Sequence, residues 1–379
     1  MHERPDTLSW RHIEVYYFSD GRDALIVEGL WPVLERLRVS GRIHGGYFSR
    51  HWERGPHIRL HFATDAEHGE GVLEEIRGAA EAYLRRNPSQ AALEPGRWEE
   101  MQEALGEWES RDSAAAPLAA DNSVLEGSED LRDEFVGGPE AAEVARWFYS
   151  DTAPLVAEWL DAARDAPQLR RRIAWELMVG FVWTADPTLR SSHLTFRSHA
   201  EAILASPAGG EGLRAAFEQR YARQREQLGN ALRASIQRLE AGEESSVAGE
   251  YLEVLRRTWA RAEPALVEGR IRLPDKEEGR QLHRRETGLQ VPNWEEQSEF
   301  HSLLLGQRWQ SFMRNDNGFK TLRFMVNLLY STLHQLGISP IERYQTCWFI
   351  ARAAEDSFGF DSLKLARHGA DLPEAGLPG

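Results

Sequence analysis

Hydroxyl, imidazole and guanidinium groups crowd into RSSHLTFRSHAEAIL, residues 190–204. Ser191, Ser192, His193, Thr195, Arg197, Ser198 and His199 fall on an expected helix or its approach. Ser192 and Thr195 are three apart, and Thr195 and His199 are four apart, so they share a helix face. Such groups can move protons and hold an amide oxygen. The same pattern also fits a helix capped by Ser191 or Ser192, with the rest a polar face.

A second concentration is FSRHWERGPHIRLHF, residues 48–62, with Arg50, His51, Arg54, His57, Arg59 and His61. In PHIRLHF the period of two puts Ile58, Leu60 and Phe62 on one strand face and His57, Arg59 and His61 on the other. The second face is either a solvated cationic surface or the lining of a cleft. No Walker loop, GxGxxG after a strand, HExxH or GxSxG occurs, and no His, Asp or Glu cluster has metal-ligand spacing. No metal or other cofactor is expected.

The elements that must position these groups follow from patterning. HIEVYYF, 12–18, reads as a strand rich in β-branched and aromatic residues. Residues 22–41 read as an amphipathic helix kinked at Pro32. IHGGYFSRHW and PHIRLHFAT read as two strands joined by the turn ERGP, and 70–87 as a helix. From Pro139 onward helices are expected at 139–164, 168–184, 191–205, 210–241, 247–268, 294–314, 319–336 and 340–357. Gly337 is placed to end one helix and Pro340 to open the next. The polar, breaker-rich stretch 269–293 is expected as a long loop, mobile or covering substrate, and 369–379 as a flexible tail; the order of 100–132 and 269–293 without substrate stays open. The expected fold is α+β, a small antiparallel sheet followed by a large helical remainder. It forms one domain over 1–368, strand-rich over 8–100 and helix-rich over 133–360.

Charge narrows the partners. The net charge of −15, from 60 acidic and 45 basic residues, argues against a nucleic-acid partner, which needs a broad basic face. A local basic cleft would still attract an acidic peptide or a carboxylate. Thirteen Trp point to an aromatic-lined groove as well as a core. The single cysteine, Cys347, excludes a disulfide scaffold and a cysteine-based zinc site. MHERPDTLSW has no apolar signal segment, and no apolar run of about 18 residues occurs, so a soluble cytoplasmic protein without a membrane partner is expected.

Three stretches in order carry a resemblance: FSRHWERGPHIRLHF, DEFVGGPEAAEVARWFYSDT (133–152) and FKTLRFMVNLLYSTLHQLGISPIERYQTCWFIARAAE. With FRSHAEAIL between them, they resemble the C-terminal, elimination-type domain of lantibiotic dehydratases, which also occurs as free-standing thiopeptide biosynthesis proteins. The resemblance implies one of three activities. The first eliminates glutamate from glutamylated Ser or Thr in a precursor peptide. The second is pyridine synthesis, a formal aza-[4+2] cyclisation of two dehydroalanines with loss of water and leader peptide. The third adds amino acids to peptides from aminoacyl-tRNA. It needs the glutamylation domain, which is not expected within this length.

Departures from the family pattern choose among them. Arg59 matches the first arginine of the elimination branch's RxR strand, but His61 occupies the second. A histidine is expected shortly before the late Asn327, and Arg323 stands there. Both changes weaken glutamate elimination, which needs a carboxylate clamp and a base. The resemblance therefore implies a pyridine synthase acting on a precursor peptide, leader plus dehydrated core. The alternatives are a glutamate-eliminating lyase and a non-catalytic precursor-binding subunit. Ser192, Thr195, Ser198 and His199 are the expected catalytic groups. Arg50, His57, Arg59, His61, Arg197 and Arg323 are the expected substrate contacts. The oligomeric state stays open, a homodimer included.

Overall fold

The computed structural model describes residues 8–91, 93–94, 96, 98, 117–127, 136–206, 210–242, 248–274, 278 and 298–371. Most of the expected loop 269–293, residues 99–116 and 128–132, and the tail beyond residue 371 lie outside the described residues. The chain is mostly helical with one small antiparallel sheet, the α+β arrangement read from its sequence. It divides into two compact units. One comprises Met1–Arg170, Arg270–Val291 and His334–Gly337; the other comprises Arg171–Gly269, Pro292–Leu333 and Ile338–Gly379.

The first unit holds the sheet. Its strands are β1 (Ser9–Tyr16), β2 (Gly45–His51), β3 (His57–Thr64) and β4 (Ser123–Glu126), in the order β2-β3-β1-β4. The period of two in PHIRLHF is realised: Ile58, Leu60 and Phe62 are fully buried, as are Ile13 and Val15 of β1. Helix α1 (Trp31–Val39) lies on this apolar face. A Cβ on Gly46, the partner of Phe62, would sit 3.3 Å from Leu34. Helix α2 (Gly69–Arg86) adds buried Val72, Leu73 and Ile76. The ERGP turn joins β2 to β3 with Arg54 and Gly55 both at positive φ, 58° and 113°. A Cβ at Gly55 would lie 2.4 Å from Phe18, so only glycine fits there.

Pro32 acts earlier than a simple kink. Its nitrogen cannot donate to the preceding turn, and its ring crowds the carbonyl four residues back. The chain answers with a π-helical turn at Leu25–Leu30, just before α1. Helix α3 (Pro139–Ala162) starts after Gly137 and Gly138, both at positive φ. It presses on the sheet at Gly45, where a Cβ would meet Trp147 at 2.7 Å and the Ser150 hydroxyl at 2.9 Å.

Helix α4 (Pro167–Ala185) leads into the second unit, which is helical. It contains α5 (His193–Ala205), α6 (Gly210–Glu240), α7 (Gly249–Val267), α8 (Glu299–Leu304), α9 (Gln307–Asn315), most of α10 (Asn317–Gln335), α11 (Pro340–Phe358) and α12 (Ser362–Asp371). The single helix expected at 294–314 is two helices, separated at Leu305 and Gly306, where Gly306 turns to ψ 144°. Gly337 sits at φ 75° beyond α10, and Ser339 starts α11 with a reciprocal capping box to Glu342. The unexpected α12 is capped by Asp361, whose carboxylate accepts from the Lys364 backbone N–H at 2.9 Å.

Because Leu60 is fully buried between β1 and β2, Leu60→Ala is expected to cost about 2–5 kcal/mol, read as a lowered denaturation midpoint.

Candidate functional site

The other face of the sheet is polar and aromatic. Strand register sets three rows across β2, β3 and β1: Tyr47, His61 and His12; Ser49, Arg59 and Glu14; His51, His57 and Tyr16. Arg59 Nε lies 3.0 Å from Glu14 Oε1, and its terminal nitrogen lies 3.2 Å from Glu53 Oε2. The Tyr16 hydroxyl donates to the other Glu14 oxygen at 2.8 Å. Ser49 Oγ bridges His51 Nε2 at 2.9 Å and His61 Nε2 at 3.0 Å. Tyr47 stacks on His61 with ring centres 4.4 Å apart and planes 9° from parallel.

Burial controls the protonation of this face. It holds the His57 imidazole down at about 4 and His61 well below its ordinary value. His57 Nδ1 donates to the Gly55 carbonyl at 2.8 Å, and its Nε2 accepts from Arg59 Nε at 3.3 Å, which suits the neutral ring. Burial opposes ionisation of Glu14, but the Arg59 charge and the Tyr16 bond outweigh it and lower the carboxyl. The strand that reads as cationic is therefore a face of neutral imidazoles around one arginine already matched by two carboxylates. Arg50 is not part of it. It pairs with Ile58, so its side chain leaves by the opposite face, bonding Asp23 at 2.5 Å and the Gln335 carbonyl at 2.9 Å.

In the second unit, α5 carries the hydroxyl and imidazole cluster. Its approach is held by Asp186, which accepts from Thr188 Oγ1 at 2.6 Å, the Ser191 N–H at 2.8 Å and Ser191 Oγ at 2.7 Å. Neither Ser191 nor Ser192 caps the helix through its side chain. The Ser192 hydroxyl is buried and has no hydrogen-bond partner among the described residues. Thr195 is half-buried on the same face. Ser198 Oγ meets His301 Nε2 of α8 at 3.0 Å. His199 Nδ1 meets the Tyr330 hydroxyl of α10 at 2.8 Å, and that hydroxyl lies 3.3 Å from Cys347 Sγ of α11. Arg343 stacks over the Tyr330 ring at 4.5 Å. Burial raises Tyr330 far above its ordinary value and pushes the Cys347 thiol up to about 12, so both stay protonated at neutral pH.

Arg197, on the same helix, has its charge committed inside the protein. It pairs with Glu201 at 2.8 Å and Glu355 at 3.2 Å and stacks over Trp348 at 4.5 Å. Arg323 is exposed on α10. The structure thus brings Ser198 and His199 together with His301, Tyr330 and Cys347, and brings His57, Arg59 and His61 together with Glu14 and Tyr16. Glu14 and Tyr16 were within reach of sequence reasoning, since HIEVYYF alternates them onto one face with His12. His301 carried no such signal. Among the described residues no group of three or more His, Cys, Asp or Glu is placed to hold a metal ion, and no helix is long and apolar enough to cross a membrane.

Comparison with known proteins adds three findings. Residues 10–354 match the family described as lantibiotic biosynthesis dehydratase C-term. The fold is similar to that of a pyridine synthase, TbtD, from thiomuracin biosynthesis, with 27% identity and a TM-score of 0.73 over 92% of this chain and 99% of that one. It is also similar to TsrL, with 22% identity and a TM-score of 0.72 over 97% and 100% of the two chains. No curated protein matches the sequence significantly.

Two outcomes follow from the site's electrostatics. Arg197→Ala removes one of two arginines from each of the buried carboxylates Glu201 and Glu355, which keep Arg214 and Arg352, and is expected to cost about 1.5–3 kcal/mol in a denaturant titration. His57 sits lower in the folded chain, at about 4, than its ordinary value of 6.5. The stability that neutral His57 provides is therefore complete above pH 6.5 and is lost as the pH falls from there towards 4. Its full size is about 3 kcal/mol, and His57→Gln should flatten that part of a stability–pH curve.

Proposed function

Since the chain belongs to the lantibiotic biosynthesis dehydratase C-terminal family, we propose that it is a thiopeptide-type pyridine synthase. Its substrate is a precursor peptide, leader plus dehydrated core. The observation that carries this reading is the end-to-end likeness to a pyridine synthase at 27% identity, 92% of one chain against 99% of the other. Arg59 supports the same choice. A glutamate-eliminating lyase needs a cation for the glutamyl carboxylate, and this one already has Glu14 and Glu53.

The reaction asks for proton transfers and for proximity. The amide beside one dehydroalanine is drawn to its iminol form by moving its N–H proton to the oxygen. The resulting azadiene meets the second dehydroalanine, and two new bonds between carbons close the six-membered ring. Holding the two alkenes in contact supplies most of the acceleration. Proton delivery then releases the former amide oxygen as water, and loss of the leader peptide completes the aromatic ring.

We assign Ser192, Thr195, Ser198 and His199 to the proton transfers and the orientation of the amide. Arg59, His61 and exposed Arg323 are the proposed peptide contacts; His57 is left out, because it is fully buried with both ring nitrogens engaged by Gly55 and Arg59. Arg59, its charge matched, meets the peptide as a hydrogen-bond donor; Arg50 is left out because its side chain leaves by the opposite sheet face to Asp23, and Arg197 because it is clamped between Glu201 and Glu355.

Incubation with a dehydrated, azole-containing precursor tests the proposal by mass spectrometry. The expected product is a macrocycle that has lost water and leader. Unchanged precursor, with leader binding intact, would leave a peptide-binding subunit instead. Removing a well-placed donor typically slows a reaction by 10²–10³, so His199→Ala and Ser198→Ala should slow product formation by roughly that factor while leader affinity is retained.

A further inference from the structure

Between Ser302 and Lys320 the only buried side chain is that of Trp309. This stretch runs from α8 through α9 into the first turn of α10, and it is rich in large apolar residues: Leu303, Leu304, Leu305, Phe312, Met313 and Phe319. Leu305 is 40% exposed, and the other five are half-buried. Trp309 anchors α9 by donating its indole N–H to the Ala366 carbonyl of α12 at 2.7 Å. By the helix period Phe312 and Met313 share its face, yet they stay partly open. Phe312 links Trp309 to Phe319, with ring centres 5.7 Å apart in each pair. Apolar side chains left half-open along three successive helices mark a surface made to be covered.

The flanks of this patch are cationic. Arg308, Arg314, Lys320 and Arg323 stand against one carboxylate, Asp316, within a chain whose net charge is −15. Asp316 is committed to the backbone, accepting from the Phe319 N–H at 2.7 Å where α10 begins. Glu299 of α8 is taken by Arg367 at 2.9 Å. Among the described residues Arg308, Arg314 and Lys320 meet no carboxylate at ion-pair distance, and one guanidinium nitrogen of Arg308 is buried without a hydrogen-bond partner. By the helix period Arg308 and Arg314 fall on either side of the stripe formed by Trp309, Phe312 and Met313. An apolar centre between cations is complementary to a peptide that carries both apolar and acidic side chains. An anionic lipid surface fits less well. Helix α9 is nine residues long with its Trp309 already turned inward, and the net charge opposes the approach.

We propose that this patch on α8, α9 and the start of α10 docks the leader of the precursor through an acidic segment that also carries apolar side chains. The proposal rests on the pyridine synthase reading for the identity of the occupant. The apolar side chains of that segment cover Leu305, Phe312, Met313 and Phe319, and its carboxylates meet Arg308, Arg314 and Lys320. Leu304 and Leu305 follow His301 by three and four residues at the end of α8, and His301 meets Ser198 Oγ of α5 at 3.0 Å. A leader held on the patch therefore brings the core that follows it towards the hydroxyl cluster of α5.

Fluorescence anisotropy with a fluorescein-labelled synthetic leader and the full chain tests the docking. The expected affinity falls as salt is raised. Arg308→Glu, Arg314→Glu and Lys320→Glu combined should weaken it roughly ten- to a hundredfold, and Phe312→Ala alone roughly tenfold. Replacing the Asp and Glu of the leader by Asn and Gln should weaken binding to the parent protein and make it insensitive to the triple change; this arm needs no folded variant. Unchanged affinity in the triple variant would overturn the proposal. If its melting temperature fell at the same time, the patch would be covered from within this chain. If binding to phosphatidylglycerol vesicles were lost instead, the patch would serve a membrane surface. The two readings fail separately. Leader binding through the patch with no macrocycle formed keeps the docking site and removes the pyridine synthase. Macrocycle formation with a KM indifferent to the triple change does the reverse.

Discussion

Glu14 faces Arg59 across the β1–β3 pair, and the polar side of the sheet depends on that contact. Arg59 is 6% exposed, and an unpaired guanidinium at that depth would be strongly destabilising. Antiparallel register supplies the carboxylate directly opposite, Tyr16 occupies its second oxygen, and Glu53 reaches in from beside the turn. Slipping the register by one residue would bring Ile13 or Val15 to this face and expose the apolar set of the other. Beside this pair, burial keeps His57 and His61 in their neutral forms. A stretch rich in arginine and histidine therefore folds into a hydrogen-bonding surface with its one central charge already matched.

A comparable constraint orients α5 in the second unit. Arg197 is clamped between Glu201 and Glu355 over the Trp348 ring, and Glu201 is held further by Arg214 at 2.6 Å and Ser298 at 3.2 Å. This network turns one side of α5 onto α11. The helix period then carries Ser198 and His199 to positions where α8 and α10 offer His301 and Tyr330. The buried ion pairs set the angle of the helix.

Local signals in the sequence were readable wherever the cause was local. Gly337, Pro340 and the ERGP turn each act through backbone geometry within a few residues, and each stands where patterning places it. The strand β3 and helix α5 were legible for the same reason. Partners that come from afar were not. Alternation in HIEVYYF shows that His12, Glu14 and Tyr16 share a face, but only strand register shows that Glu14 meets Arg59. Composition marks Arg50 and Arg197 as candidate ligands for a peptide, and only folding shows Asp23 and Glu201 already beside them. The four-residue β4 lacks the length that would announce it, whereas the late α12 is ten residues long and amphipathic and was missed because the polar, Pro- and Gly-rich end of the chain reads as a tail.

Substrate choice tests the central claim most directly. Two forms of one precursor, the first dehydrated and azole-containing, the second glutamylated at the same positions, would be offered together and followed by mass. A pyridine synthase whose Arg59 is matched by Glu14 and Glu53 consumes the dehydrated peptide, releases its leader and leaves the glutamylated peptide untouched. Loss of glutamate from the second peptide, with the first unchanged, would contradict the account.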